Sequence, residues 1–210
     1  MSYVIFDVES KPKAELLDVF MESVSAPKNF KDEEKIKEYI EGKKADARKA
    51  MATDSDYCEV VCICIKEEDR DPVTMSLEQF ALWLEKTEDV GGAQVSNKYK
   101  TFVGFNSRVF DIPVIIKAGL RAKLKMPYKE LFSMLDKYKG QRHIDLMEKI
   151  SMAWGSNKSL DTYLKIYLGE HKDTQGDEFF KNATDEELRA HCVADVLLTE
   201  KLYKFFEEIL

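Results

Sequence analysis

Four carboxylates and one histidine sit where the hydrophobic pattern calls for core. Asp7 and Glu9 are two apart in the run Tyr3 to Ser10, so in a strand they share a face with Tyr3 and Ile5. Val4, Phe6 and Val8 take the opposite face. Two carboxylates side by side repel and raise one another's pKa unless a cation lies between them. Hard divalent ions such as Mg2+ or Mn2+ prefer such oxygen donors. The pair alone says little, because 39 acids in 210 positions produce about seven acid-x-acid pairs by chance.

The C-terminal residues repeat the anomaly. At about 100° per residue, Leu188, Cys192, Thr199, Leu202, Tyr203, Phe206, Ile209 and Leu210 form one helical stripe. Asp195 projects into the middle of it, and His191 lies one turn earlier on the same side. A carboxylate there is costly unless it meets a cation, a donor cluster or a metal, and a structural ion pair is one way to meet that need. Asp111 ends the run from Gly104 to Asp111, which opens where a strand closes at Asn106. Asn106 and Asp111 read either as a turn former and a helix cap or as loop residues with a function. Taken together, the order is more specific than any member: Asp-x-Glu on a strand, Asn-x4-Asp after another, His-x3-Asp on a late helix. Four acids so placed suit two metal ions sharing Asp7, an arrangement that activates water and stabilises a leaving oxygen in phosphoryl transfer.

The elements that must position these residues follow from the pattern. Tyr3 to Asp7 reads as a buried strand and Tyr57 to Ile65 as a central one, with Val73 to Met75 a third. Cys58, Cys62 and Cys64 are expected on one face of the second strand with Val60, as buried reduced thiols rather than a zinc site. A helix capped by Ser76 follows, and Glu88 to Lys100 reads as a polar loop holding Gly91 and Gly92. Thr101 to Phe105 is a further strand, ahead of a basic helical region and the short apolar run His143 to Leu146. Helices are expected over Leu146–Trp154, Leu160–Leu168 and from about Asp185 to Leu210. Trp83 and Trp154 read as core. Residues 10–56 read as a helical insertion, with one helix from about Glu33 to Met51 whose thin apolar stripe is Ile36, Tyr39, Ile40, Ala47 and Met51. It packs on the domain edge, or serves as a lid or docking arm. The whole reads as one α/β domain over 1–210, a central mixed sheet flanked by helices with the first strand in its middle.

Composition limits the function. With 44% hydrophobic residues the chain can build a core, and its formal charge of −7 excludes adhesion to DNA through bulk charge. A nucleic-acid role needs bound cations or a local basic patch. Lys117 to Arg142 supplies one, with eight cations against two acids, beginning six residues after Asp111. Lys117 and Arg121 are its first members, while Tyr128, Phe132 and Tyr138 are candidates for stacking bases or for core. Neither a signal peptide nor a membrane span is visible, so a cytoplasmic protein without membrane contact is expected.

The motif set resembles the DEDD (DnaQ-like) superfamily of 3′–5′ exonucleases. Phe6 to Ser10 resembles its first motif, Gly104 to Asp111 the second in the style of family-B DNA polymerase proofreading domains, and His191 to Asp195 the third. His143 to Leu146 and Ala26 to Ile65 are similar to uncharacterised, including phage-encoded, relatives. The resemblance implies a ribonuclease H-like fold with a mixed five-stranded sheet. It implies that Asp7, Glu9, Asp111 and Asp195 bind two Mg2+ or Mn2+ ions, and that His191 orients or deprotonates the attacking water. It places Ser10 and Asn106 against the terminal nucleotide. His191 departs from the pattern: the superfamily pairs tyrosine with x3 and histidine with x4, and here histidine has the tyrosine spacing. The expected substrate is the 3′ end of DNA, single strands preferred, with RNA the close rival. The rival in another class is a non-catalytic accessory subunit of a replication complex, docked on a separately encoded polymerase through residues 10–56.

Overall fold

The computed structural model describes residues 3–137, 142–151, 156–172, 179 and 182–208. Its main sheet has five strands in the order β3-β2-β1-β6-β7: β1 Tyr3–Pro12, β2 Cys58–Glu67, β3 Val73–Met75, β6 Thr101–Gly104 and β7 His143–Asp145. β1 runs antiparallel to β2 and parallel to β6, β2 antiparallel to β3, and β6 parallel to β7. The sheet is the mixed, helix-flanked one expected, with β1 at its centre. A strand covered on both faces is apolar in succession, and Val4, Ile5 and Phe6 are each at most 2% exposed.

Each face carries its own core. On one, Val4, Phe6, Val8 and Ile63 meet helices α4 (Leu77–Glu85) and α5 (Asp111–Arg121). On the other, Tyr3, Ile5, Cys62 and Val103 meet α8 (Leu160–Leu168) and the long α9 (Asp185–Phe206). Ser76 closes a capping box on α4, and Thr184 does the same for α9. Shorter helices among the described residues include α1 Leu17–Ser23, α2 Glu33–Ala45, α3 Ala47–Ala52, α6 Tyr128–Met134 and α7 Leu146–Ser151. Among the described residues no helix is long and apolar enough to cross a membrane.

Several expectations are corrected. Residues 88–100 are not a loop: β4 (Thr87–Val90) and β5 (Ala93–Ser96) pair as a hairpin turned by Gly91 and Gly92. Both glycines have positive φ, 63° and 87°, which the tight hairpin turn demands and glycine supplies without steric cost. Lys100, ion-paired to both Glu67 and Glu88, ties the hairpin to the sheet. The helix expected over 33–51 breaks at Asp46 into α2 and α3, and of its stripe only Ala47 and Met51 are buried. β1 continues through Pro12, so its pairing with β2 reaches beyond the start expected for the insertion. The cysteines do not share a face. A bulge, where Glu9 pairs Cys62 but Ser10 pairs Val60, sets Cys58 and Val60 on the α5 side and Cys62 and Cys64 on the α9 side. Val196 and Glu200 join the buried stripe of α9. Trp83 is core, while Trp154, Tyr138, Ile209 and Leu210 lie outside the described residues.

Candidate active site

β1 presents Asp7 and Glu9 toward α9, whose buried stripe presses it against the sheet and fixes which residues look back. His191 Nδ1 lies 2.7 Å from Glu9 Oε1. The Cys192 thiol donates to Asp7 Oδ2 at 3.3 Å and to the Asp7 carbonyl at 3.5 Å. Contact with the Cys62 and Cys64 thiols, then burial, raises the Cys192 pKa and keeps its proton available for that bond. One turn on, Asp195 Oδ2 receives Lys172 Nζ at 2.5 Å. Asp195 Oδ1 is buried and has no hydrogen-bond partner among the described residues.

Asp111 reaches the same place from the opposite face. It is the first residue of α5 and does not cap it; its Oδ1 accepts the Val8 N–H at 2.9 Å. The parallel pairing of β1 with β6 ends at Ile5, so beyond it that edge of β1 needs another acceptor, and Asp111 is one. Val8 stands between Asp7 and Glu9, which sets the third carboxylate beside the first two. The sequence-predicted Asp7, Glu9, Asp111, His191 and Asp195 are thus gathered at the middle of β1.

The electrostatics show mutual repulsion. Burial, then Glu9 and Asp195, push the Asp7 carboxyl up to about 7. Burial, then Asp7, hold Asp111 well above the usual carboxylate range. For His191, burial disfavours the charged ring, but the Glu9 hydrogen bond and the field of Asp195 outweigh it and raise its pKa. Among the described residues no three His, Cys, Asp or Glu side chains are gathered tightly enough to grip an ion as they stand, with Glu9 turned to His191 and Asp195 to Lys172. The donor chemistry nonetheless fits a hard divalent cation: all four acids are oxygen donors, two resist ionising together, and one buried oxygen lacks a partner.

Asn106 sits in a turn built to hold it. Its φ of 59° is left-handed, and a Cβ added to Gly104 would stand 2.4 Å from Ser107 Oγ, so the chain closes on itself here. Asp145, 1% exposed at the end of β7, clamps the turn by accepting the N–H groups of Asn106 (3.0 Å), Arg108 (2.9 Å) and Glu148 (3.3 Å). His143 lies beneath, with Ser107 Oγ 2.9 Å from Nε2 and the Met134 carbonyl 3.0 Å from Nδ1. Burial, then Arg108, push its pKa down to about 4, so the ring is neutral, donates to Met134 and accepts from Ser107. Sequence reasoning quoted His143 and Asp145 in its resemblance but gave them no role. It missed Lys172 and the contact of Cys192 with Asp7. A buried acid closing a short apolar strand was the signal for Asp145; for Lys172 there was none.

Three predicted nucleic-acid contacts are engaged elsewhere. Ser10 Oγ donates to the Ala52 carbonyl at 2.8 Å, docking α3 on β1. Lys117 pairs with Asp56 at 2.7 Å. Arg121 holds the carbonyls of Ser55, Asp56 and Cys58, and Cys58 pairs with Pro12, five residues along β1 from Asp7. Arg121 also stands ten residues down α5 from Asp111, roughly 15 Å away. The first cations of the basic segment thus hold the 55–58 turn.

A family B DNA polymerase from the hyperthermophilic archaeon Pyrobaculum calidifontis superposes with a TM-score of 0.54 at 14% identity, over 99% of this chain and 24% of its own. The zinc-bound E. coli ExoI–ssDNA complex gives a TM-score of 0.45 at 10% identity, over 99% of this chain and 40% of its own. Exonuclease I from Methylocaldum szegediense gives 0.40 at 13%, over 99% and 40%. This chain thus spans less than half the length of these proteins, and at such identities the polymerase likeness shows the ribonuclease H-like fold alone. No curated protein matches. A family model described as predicted 3′–5′ exonucleases related to the exonuclease domain of PolB matches residues 54–209. The chain belongs to that family.

Proposed function

We propose that this protein removes nucleotides from the 3′ ends of DNA, single strands preferred, by metal-dependent phosphodiester hydrolysis. One observation carries the reading: carboxylates from β1, α5 and α9 converge on Asp7, whose own pKa burial, then Glu9 and Asp195, raise to about 7. Asp7, Glu9, Asp111 and Asp195 would hold two Mg2+ or Mn2+ ions. Bound there, such ions make a nucleophile of water at neutral pH and stabilise both oxygens of an in-line displacement. The chain supplies the rest. The Val8 N–H holds Asp111, the Cys192 thiol holds Asp7, and Glu9 fixes the imidazole of His191 in one orientation. His191 takes the proton of the attacking water, and its pKa, raised by the Glu9 hydrogen bond and the field of Asp195 against the opposing effect of burial, lets it hold that proton until product leaves. The Asp145-clamped turn presents Asn106 to the terminal nucleotide.

The test is incubation of purified protein with 5′-labelled single-stranded DNA and RNA in Mg2+, Mn2+ and EDTA, with Asp7→Ala as control. A ladder shortening from the 3′ end, lost in EDTA and in the variant, supports the proposal and shows which sugar is accepted. Full activity in Asp7→Ala overturns it. Binding of the strand without any turnover favours an accessory subunit that has kept the fold.

A further inference from the structure

We propose that Lys172 is a built-in counter-ion of the active site, occupying Asp195 when no metal is bound and yielding it when a divalent cation arrives. This rests on the metal-binding reading above. The chain turns back after α8 at Gly169, whose φ is 65°, and the Lys172 N–H donates to Asp161 Oδ1 at 2.9 Å in the first turn of that helix. Asp161 is itself paired to Lys165 at 2.6 Å, so the backbone at Lys172 is anchored to α8. Its side chain, 18% exposed, crosses to Asp195, 15% exposed, and its charge is felt at Asp7 and His191 as well.

Lys172 therefore balances a group of acids that repel one another. A metal taken up at the unpartnered Asp195 Oδ1 would lie one carboxylate's width from the ammonium held at Oδ2 at 2.5 Å, and two cations so close repel in a buried site. Lysine suits this exchange: a compact charge on a flexible four-carbon stem can leave without moving the backbone that carries it. Among the described residues Glu9 is bonded to His191, Asp7 to Cys192 and Asp111 to the Val8 N–H, and none of the three to a lysine, so the competition centres on Asp195. Linkage gives its size. If the ion pair is closed in about 90–99% of metal-free molecules, the apparent Kd for metal is raised about 10- to 100-fold.

Mn2+ binding to the full chain, followed by titration calorimetry and by thermal midpoints with Mn2+ and with EDTA, tests this without reference to activity. Lys172→Met should bind Mn2+ at least about tenfold more tightly, melt lower in EDTA and gain more from Mn2+ than the parent. Lys172→Arg, which keeps the charge, should stay within about threefold of the parent. Folded Lys172→Met with unchanged or weaker Mn2+ affinity overturns the proposal. So does equal tightening in Lys201→Met, which removes an exposed lysine paired to Glu170. Mn2+ binding that is present in the parent and lost in Asp195→Asn secures the metal reading independently. Absence of binding in the parent and in Lys172→Met alike overturns both. Should Lys172→Met fail to fold, acetic anhydride labelling of the parent decides: Mn2+ should increase acetylation of Lys172, and an unchanged or lower yield refutes displacement.

Discussion

Replacing Asp7 by Asn should stabilise the metal-free protein, by an amount that grows as pH rises from about 4 and is complete above neutrality. Asp7 titrates near 7 in the folded chain against 3.8 for the unperturbed group, through burial first and then through Glu9 and Asp195. The sign follows from linkage. A folded pKa above the unfolded one means the native state binds the extra proton between the two values, so this contribution is full below 3.8 and lost as pH rises through 7. Three units at 1.36 kcal/mol each set an upper value of about 4 kcal/mol, and residual solvent access reduces it to about 2–4 kcal/mol. Asn has the same shape, can still accept the Cys192 thiol and carries no charge to repel its neighbours. Urea denaturation in EDTA at pH 5, 7 and 9 measures the effect. The variant should lead the parent by about 1–2 kcal/mol at pH 5, where the unfolded Asp7 is already ionised, and by about 2–4 kcal/mol at pH 9. Asp111 and His191, both raised, keep part of the slope in each protein. Parallel curves, or a variant less stable at pH 9, would mean that the acids are not held in mutual repulsion and would remove the electrostatic case for a metal site.

Further outcomes follow from the same geometry. His191→Ala should slow turnover by roughly 10²- to 10⁴-fold in single-turnover assays with Mg2+, and an unchanged chemical step removes it as the base. Asp145→Ala frees two N–H groups at the Asn106 turn and one, that of Glu148, in α7. It should cost about 3 kcal/mol by urea denaturation and reduce turnover while Mn2+ affinity is retained; lost Mn2+ affinity would contradict its placement as a clamp. Buried neutral His143 is depressed from 6.5 to about 4, so its contribution is present above 6.5 and lost as pH falls toward 4. His143→Leu should flatten the acid limb by about 3 kcal/mol between pH 7 and 4, measured by denaturation at each pH, and an unaltered limb would refute the assignment.

The alternation of Tyr3 to Glu9 and the 3.6-residue stripe of α9 are local periodicities, and each stood in the sequence. They placed Asp7 and Glu9 on one strand face and set His191 and Asp195 together on one helix face before any contact was known. The spacing from Gly104 to Asp111 likewise marked the second approach to the site. Periodicity names a face and leaves the partner open. Asp111 could as well have capped α5, and only the departure of β6 after Ile5, which leaves the Val8 N–H to be satisfied, turned it onto β1. The bulge opposite Glu9 moved Cys58 to the far face, against the period of two. Arg121 reads from the sequence as a phosphate guide, and nothing there announces its grip on the carbonyls of Ser55, Asp56 and Cys58. Lys172, 23 residues before Asp195, has no pattern that marks it among the chain's 32 cations. Local backbone geometry dictates which carboxylates face inward; which cation answers each of them is set by elements far apart in sequence, because Coulomb attraction and burial act across space and take no account of chain order.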